Sequence, residues 1–191
     1  MDYCSIQDFH NALHDTDHFA TIRPHYIEGL CRTTHFAECR AVVESCDMLL
    51  HAPITNKAMA LAERAYAILH GERSELIGNF TILHRELNSH TSIILEDIPQ
   101  GEILESAMLT MSQDKLLSGL KEFEERMRRA DISHNNLRKQ NIIVDRDGYW
   151  HPIRLYYTTI GYGGDSRELE TLCAEIKRVA PVNNCLNEPL S

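Results

Sequence analysis

Ile132-Ser133-His134-Asn135-Asn136-Leu137-Arg138-Lys139-Gln140-Asn141-Ile142-Ile143-Val144-Asp145 is a polar loop that runs into an apolar strand. Ahead of it, Leu116, Leu120, Phe123 and Met127 recur at helical spacing. After it, Ile142, Ile143 and Val144 have strand composition, and Asp147-Gly148 supplies a turn. A helix therefore delivers the loop and a hairpin leaves it.

Working outward, the preceding helix begins at Ser112, a good N-cap. Its Lys121, Glu122, Glu124, Glu125, Arg126, Arg128 and Arg129 read as a solvated charged face. A short helix is predicted from Glu102 to Leu109, and Pro99-Gln100-Gly101 breaks the chain before it. Further upstream, Thr55 caps a helix over about 56–70. There Ala58, Leu61, Ala62, Ala65, Ile68 and Leu69 share one apolar face, and Gly71 supplies a stop. Strands are predicted at Ile77 to Leu87 and Ser92 to Glu96, with Asn88-Ser89-His90 as their turn. Strand-like patches at Phe19 to Ile27, Phe36 to Val43 and Met48 to Leu50 complete a small antiparallel sheet. Pro24 restricts the first patch to an edge or a bulge. Downstream, Arg167 to Val179 reads as a last helix ended by Pro181.

The spacing of His134, Asn136, Leu137 and Asn141, H-x-N-L-x-x-x-N over 134–141, resembles the catalytic loop of protein kinases, H-R-D-L-x-x-x-N. The resemblance implies an α+β, two-lobed kinase-like fold. Residues 1–98 would form the N-lobe, a small antiparallel sheet plus the helix at about 56–70. Residues 99–191 would form a reduced, mainly helical C-lobe, the two making one compact unit. Thr91 to Gly101 would then hold the last N-lobe strand and the hinge. The part after the loop is short for the family, so the helices that bind peptide substrates can hardly all be present.

The resemblance also defines what is missing. Asn136 stands where the family has its catalytic Asp, and an amide is not a base at neutral pH; losing a general base typically forfeits roughly 10²–10⁴ in rate. Asn141 matches the family's metal-holding Asn. No carboxylate lies between Gly148 and Gly164, so the Asp-Phe-Gly carboxylate has no counterpart and Tyr156 or Tyr157 is expected in its place. His51 stands in the strand where the family has a lysine, and Glu63 is the candidate for the helix glutamate. Ile27 to Phe36 holds a single glycine, too few for a phosphate-covering loop. By this resemblance the degenerate loop is His134, Asn136 and Asn141, and the lining of a relic pocket is His51, Glu63, Glu96, Ile98, Asn141 and Tyr157. Tyr149, Trp150, His151, Tyr156 and Tyr157 are expected to gather either as core or as a plug of the phosphate site.

These departures imply a catalytically inactive, pseudokinase-like protein with a binding or regulatory role, no resident metal and no cofactor. One alternative is a residual nucleotide-binding protein or small-molecule phosphotransferase that uses ATP and Mg²⁺, drawing carboxylates from Asp145, Asp147 or Asp165. Another is a structural or oligomerisation module. His10, His14 and His18, four apart, could face one way on a helix and bind a divalent metal, against the plainer reading of a polar face near a terminus.

The 191 residues fit one ordinary domain or two small lobes, and 43% hydrophobic content is enough for a sizeable core. A net charge of −9 disfavours nucleic-acid and anionic-membrane partners, leaving a protein partner, or a second copy of the chain, as the expectation. No apolar run approaches the roughly 18 residues of a membrane span. Met1 to Asp8 lacks the basic and apolar regions of a secretory signal, so a cytoplasmic location is expected. The six cysteines contain no C-x-x-C pair and are expected to be reduced.

Overall fold

The computed structural model of the chain describes residues 24–32, 36–43, 46–53, 55–69, 73, 77–78, 80–87 and 90–180. The histidines at 10, 14 and 18, the stop at Gly71, the Asn88-Ser89 turn and the tail beyond Ala180 lie outside the described residues, as does the Phe19-to-Arg23 part of the first predicted strand.

Three strands in sequence, β1 (Pro24–Arg32), β2 (Phe36–Val43) and β3 (Cys46–Pro53), are followed by helix α1 (Asn56–Leu69) and then by β4 (Phe80–Leu87) and β5 (His90–Asp97). They form one antiparallel sheet in the order β1-β2-β3-β5-β4. Because α1 intervenes between β3 and β4, β5 can pair with β3 in the middle of the sheet while β4 takes the edge. Thr55 starts α1 as its composition predicts, its Oγ1 accepting from the Ala58 amide at 3.1 Å. Ala58, Ala62 and Ala65 are fully buried, with Ile68 and Leu69 below them. Small side chains at helical spacing let this helix lie close against its neighbours.

The second half is helical around a short hairpin. β6 (Glu102–Ile103) precedes α2 (Leu104–Thr110) and α3 (Gln113–Ala130), and β7 (Ile132–Ser133) opens the loop. A 3₁₀ turn over Lys139–Asn141 feeds β8 (Ile142–Val144) and β9 (Trp150–Pro152). After these come a second 3₁₀ turn, Leu155–Tyr157, then β10 (Thr159–Ile160) and α4 (Ser166–Val179). β6, β8 and β9 make a three-stranded sheet, and β7 pairs with β10. The helix predicted from Glu102 thus starts two residues late. Glu102 and Ile103 pair instead with Val144 and Ile143, where tertiary pairing overrides helical propensity. Ser112 caps α3, and Asp131 ends it in the left-handed region at φ 51°. Gly119 is required where it is, since a Cβ there would lie 2.1 Å from the Gly148 carbonyl oxygen of the hairpin turn.

One apolar cluster joins both halves. It runs from Phe36 and Ile94 of the sheet, through the alanines of α1, to Leu116, Phe123 and Met127 of α3 and Leu169, Leu172 and Ile176 of α4. Arg73 bridges the halves as well, donating from Nε to the Ala130 carbonyl at 2.8 Å. The structure is therefore mixed α and β, with small antiparallel sheets and, among the described residues, four helices, an α+β arrangement. No helix among the described residues is long and apolar enough to cross a membrane.

The aromatic residues do not gather as expected. Trp150 is buried against Phe123 of α3, with centroids 6.0 Å apart, and Tyr149 is exposed. His151 turns to Asp145 at 3.1 Å. Only Tyr156 and Tyr157 reach the sheet, stacking in sequence on Phe36. Alternation along β9 sends Trp150 and Pro152 to one face and His151 to the other.

A buried charge cluster between the sheet and the loop

Strand register builds the site. Glu38 of β2 lies directly opposite His51 of β3, and Leu49, on the same face as His51, lies opposite Glu96 of β5. A direct and a diagonal cross-strand neighbour thus bring two carboxylates to one imidazole. His51 Nε2 is 3.0 Å from Glu96 Oε2. Its Nδ1 is 3.4 Å from Glu38 Oε1, a charge contact outside hydrogen-bond geometry. All three side chains are at most 2% exposed.

The second half contributes the other charge. Arg154, just past β9, donates from Nε to Glu38 Oε2 at 2.9 Å and from Nη1 to Asn141 Oδ1 at 2.7 Å. Tyr156 donates its hydroxyl to Glu38 Oε1 at 2.5 Å, and the Leu155 amide points at Glu96 Oε1 at 3.4 Å. Arg154 does this from the left-handed region, at φ 63°, a conformation that costs a non-glycine residue about 1–2 kcal/mol. The ion pair holds it there. With His51 protonated, two carboxylates face an imidazolium and a guanidinium, and the buried cluster is neutral overall.

The electrostatics follow. Burial pushes the Glu38 carboxyl up, but His51, Arg154 and Tyr156 outweigh it and hold the group down at about 2. Burial pushes His51 down, and the Glu38 and Glu96 carboxylates reverse this, raising it above its ordinary value. Arg154 loses from burial and gains more from Glu38, so it stays charged. Burial, with the Glu38 charge beside it, drives the Tyr156 hydroxyl upward, and it remains a neutral donor.

The loop itself is held by neutral groups and one carboxylate. His134 is fully buried, its Nε2 2.9 Å from the Ile153 carbonyl and its Nδ1 without a partner. Burial brings it down to about 4, the carbonyl only partly opposing, so the imidazole is neutral and Nε2 donates. Asp165 accepts from the His134 amide at 2.5 Å and the Asn135 amide at 2.6 Å. Asn135 takes φ 60°, which asparagine tolerates. Asn141 donates from Nδ2 to the Asn136 carbonyl at 2.8 Å.

Of the residues read from the sequence, His51, Glu96 and Asn141 belong to this cluster, and His134 and Asn136 lie in the loop beside it. Glu63 does not join them; it is exposed on α1, and Glu38 takes the part of the carboxylate that meets the strand residue. Ile98 is packed elsewhere, against Leu49, Ile143 and Ile153. Tyr157 supports the cluster from behind Tyr156 at 4.6 Å, but the side chain that reaches the Asn141 amide is Arg154, not Tyr156 or Tyr157. The carboxylates considered as replacements are engaged or remote. Asp145 accepts from the Asp147 and Tyr149 amides and meets His151. Asp165 is committed to the loop amides, and Asp147 is exposed. Sequence reasoning missed Glu38 and Arg154. Glu38 had a signal, since it shares a strand face with Phe36, an unusual place for a carboxylate without a partner.

No family model matches the chain, and no curated protein matches it.

Proposed function

We propose that this chain is a catalytically inactive, kinase-like binding module whose partner is another protein. The observation that carries the reading is the Arg154 guanidinium lodged between Glu38 and Asn141. Asn141 is the residue to which the loop resemblance gives a metal-holding role, and its carbonyl oxygen already accepts from a fixed cation. A guanidinium at that point repels a divalent ion, and the donor set does not fit magnesium, which needs free hard oxygens. The residue at the base position, Asn136, cannot take a proton, and the nearby carboxylates Asp145 and Asp165 are bound to backbone amides. Tyr156 and Phe36 stack in the same space at 4.0 Å, closing it with rings. The negative net charge supports a protein rather than a nucleic-acid partner.

Thermal melting with and without millimolar ATP and Mg²⁺ tests this reading. Ligand at a hundredfold excess over Kd stabilises the native state by about 2.7 kcal/mol, which is several degrees for a chain of this size. The expected result is no magnesium-dependent rise in Tm. A rise that disappears in Asn141→Ala would overturn the proposal and restore a nucleotide site.

A further inference from the structure

A cavity of about 360 Å³ opens beside the loop, between the Leu137 to Gln140 segment and the first turns of α4. Its floor is apolar, with Leu137 and Leu172 both buried. Its rim is charged. Lys139 is already held by Glu105 at 2.7 Å and lies in the field of Glu175. Arg138 and Arg167, one from each wall, bond through their carbonyls to Asn141 and Thr171, but their guanidiniums have no hydrogen-bond or ion-pair partner among the described residues. By contrast Arg40, Arg128 and Arg154 all meet carboxylates. Glu168 and Glu175 also line the cavity, so three cations face two carboxylates there, and the two arginines are the cations with no carboxylate bound to them, in a protein that is strongly acidic as a whole.

We infer that this cavity is a binding site for an oxyanion carried on a small apolar body, a phosphate monoester or a carboxylate, held between the Arg138 and Arg167 guanidiniums. Guanidinium presents paired N–H donors that match two oxygens of such a group, and charge-assisted bonds of this kind are the strong ones. Two arginines on facing walls can each take one edge of a tetrahedral phosphate, whereas a planar carboxylate satisfies one fork at a time. Phosphate is therefore the better ligand. The apolar floor takes the body that carries it. The inference does not depend on the kinase resemblance, because the resemblance gives no catalytic or metal-holding role to any residue that lines the cavity.

The test is a ¹H–¹⁵N chemical-shift titration of the whole chain with phenyl phosphate in one arm and phenylacetate in the other, at constant ionic strength set with chloride. Saturable shifts confined to the amides of 137–140 and 166–175 are expected, with phenyl phosphate several-fold tighter. Arg138→Gln and Arg167→Gln should each weaken binding by about tenfold while leaving the rest of the spectrum in place. Arg129→Gln, an equal loss of charge on the exposed face of α3, should leave it unchanged. Saturable binding tighter for phenylacetate would overturn the phosphate assignment. Shifts that fail to saturate, lie elsewhere, or weaken as much in Arg129→Gln would overturn the site.

Discussion

Two histidines, both completely buried, sit in this molecule in opposite states. His51, in the sheet, is flanked by Glu38 and Glu96 and is raised above the ordinary imidazole range. His134, in the loop, faces the Ile153 carbonyl and is brought down to about 4. Burial lowers both. The sign of the result is set by what each ring meets, two carboxylates or a neutral carbonyl. The histidine on the sheet side is therefore held by charges that must stay charged, and the histidine on the loop side is one that must stay neutral. Changes that remove a charge or add one should separate the two.

The largest effect is expected from Glu38→Gln. It leaves the Arg154 guanidinium and the protonated His51 with one carboxylate in place of two, and stranding a buried charge typically costs about 3–5 kcal/mol. Urea unfolding at pH 7 measures it. A loss under about 1 kcal/mol would mean that the cluster is solvated and that the distances to Glu38 overstate its part. Its pH dependence has a definite sign. Glu38 is depressed to about 2, so its contribution is present above about 4.5 and is lost as pH falls toward 2.

Next in size is the acid limb due to His134. Its folded pKa lies below the unfolded value of about 6.5, so the unfolded chain binds the extra proton first. Stability must fall as pH drops from about 6.5 through 4, by about 3 kcal/mol in full. His51 acts in the other direction. Its contribution is complete below about 6.5 and is lost as pH rises through its raised folded value. A stability profile measured from pH 4 to 10 in the wild type and in His134→Gln and His51→Gln would show the acid limb flattening in the first variant and the alkaline limb in the second. The same limb flattening in both would break the comparison.

How far these residues could be read in advance differs between the two sides. The caps at Thr55 and Ser112 and the apolar periodicities of α1, α3 and α4 are local properties, and the helices stand where they predict, α4 one residue earlier at its start. The loop is legible for the same reason, as one contiguous stretch. The charge cluster is not, because it is assembled by register. Glu38 and His51 become neighbours only once β2 and β3 pair, and Glu96 joins only because β5 rather than β4 lies beside β3. Glu63 is four residues N-terminal to Ala67 on the exposed side of α1 and looked equally available in one dimension. Arg154 was hidden by its conformation, since nothing local announces a left-handed arginine.

A smaller loss separates Asp165 from the cluster carboxylates. Asp165→Asn keeps one oxygen for the His134 and Asn135 amides and turns an NH2 toward the other, and a buried donor left unpaired costs about 1–3 kcal/mol. Burial raises Asp165, the amides opposing, so the carboxylate gains less here than Glu38 does from two cations. The variant should unfold about 2 kcal/mol earlier without shifting either histidine limb. A shifted acid limb would show that the Asp165 charge, not burial, governs His134.

The smallest effect sharpens the rule by removing burial from it. His151 meets Asp145 at 3.1 Å, nearly the separation of His51 and Glu96, but the two side chains are 29% and 23% exposed. Water screens that pair, and pairs of this kind contribute about 0–1 kcal/mol. His151→Gln should therefore change the urea stability by less than about 1 kcal/mol, and the difference should vanish in 1 M salt, where the Debye length shrinks to about 3 Å. The Glu38→Gln loss should largely persist in the same salt, since Glu38, His51 and Glu96 are almost completely covered and only Arg154, 24% exposed, reaches water. If the two variants lost stability equally and both losses faded with salt, the sheet-side cluster would be an ordinary surface network. Arg154 could then swing away from Asn141 at little cost, and the closed space beside the loop would be open to a metal or a nucleotide after all.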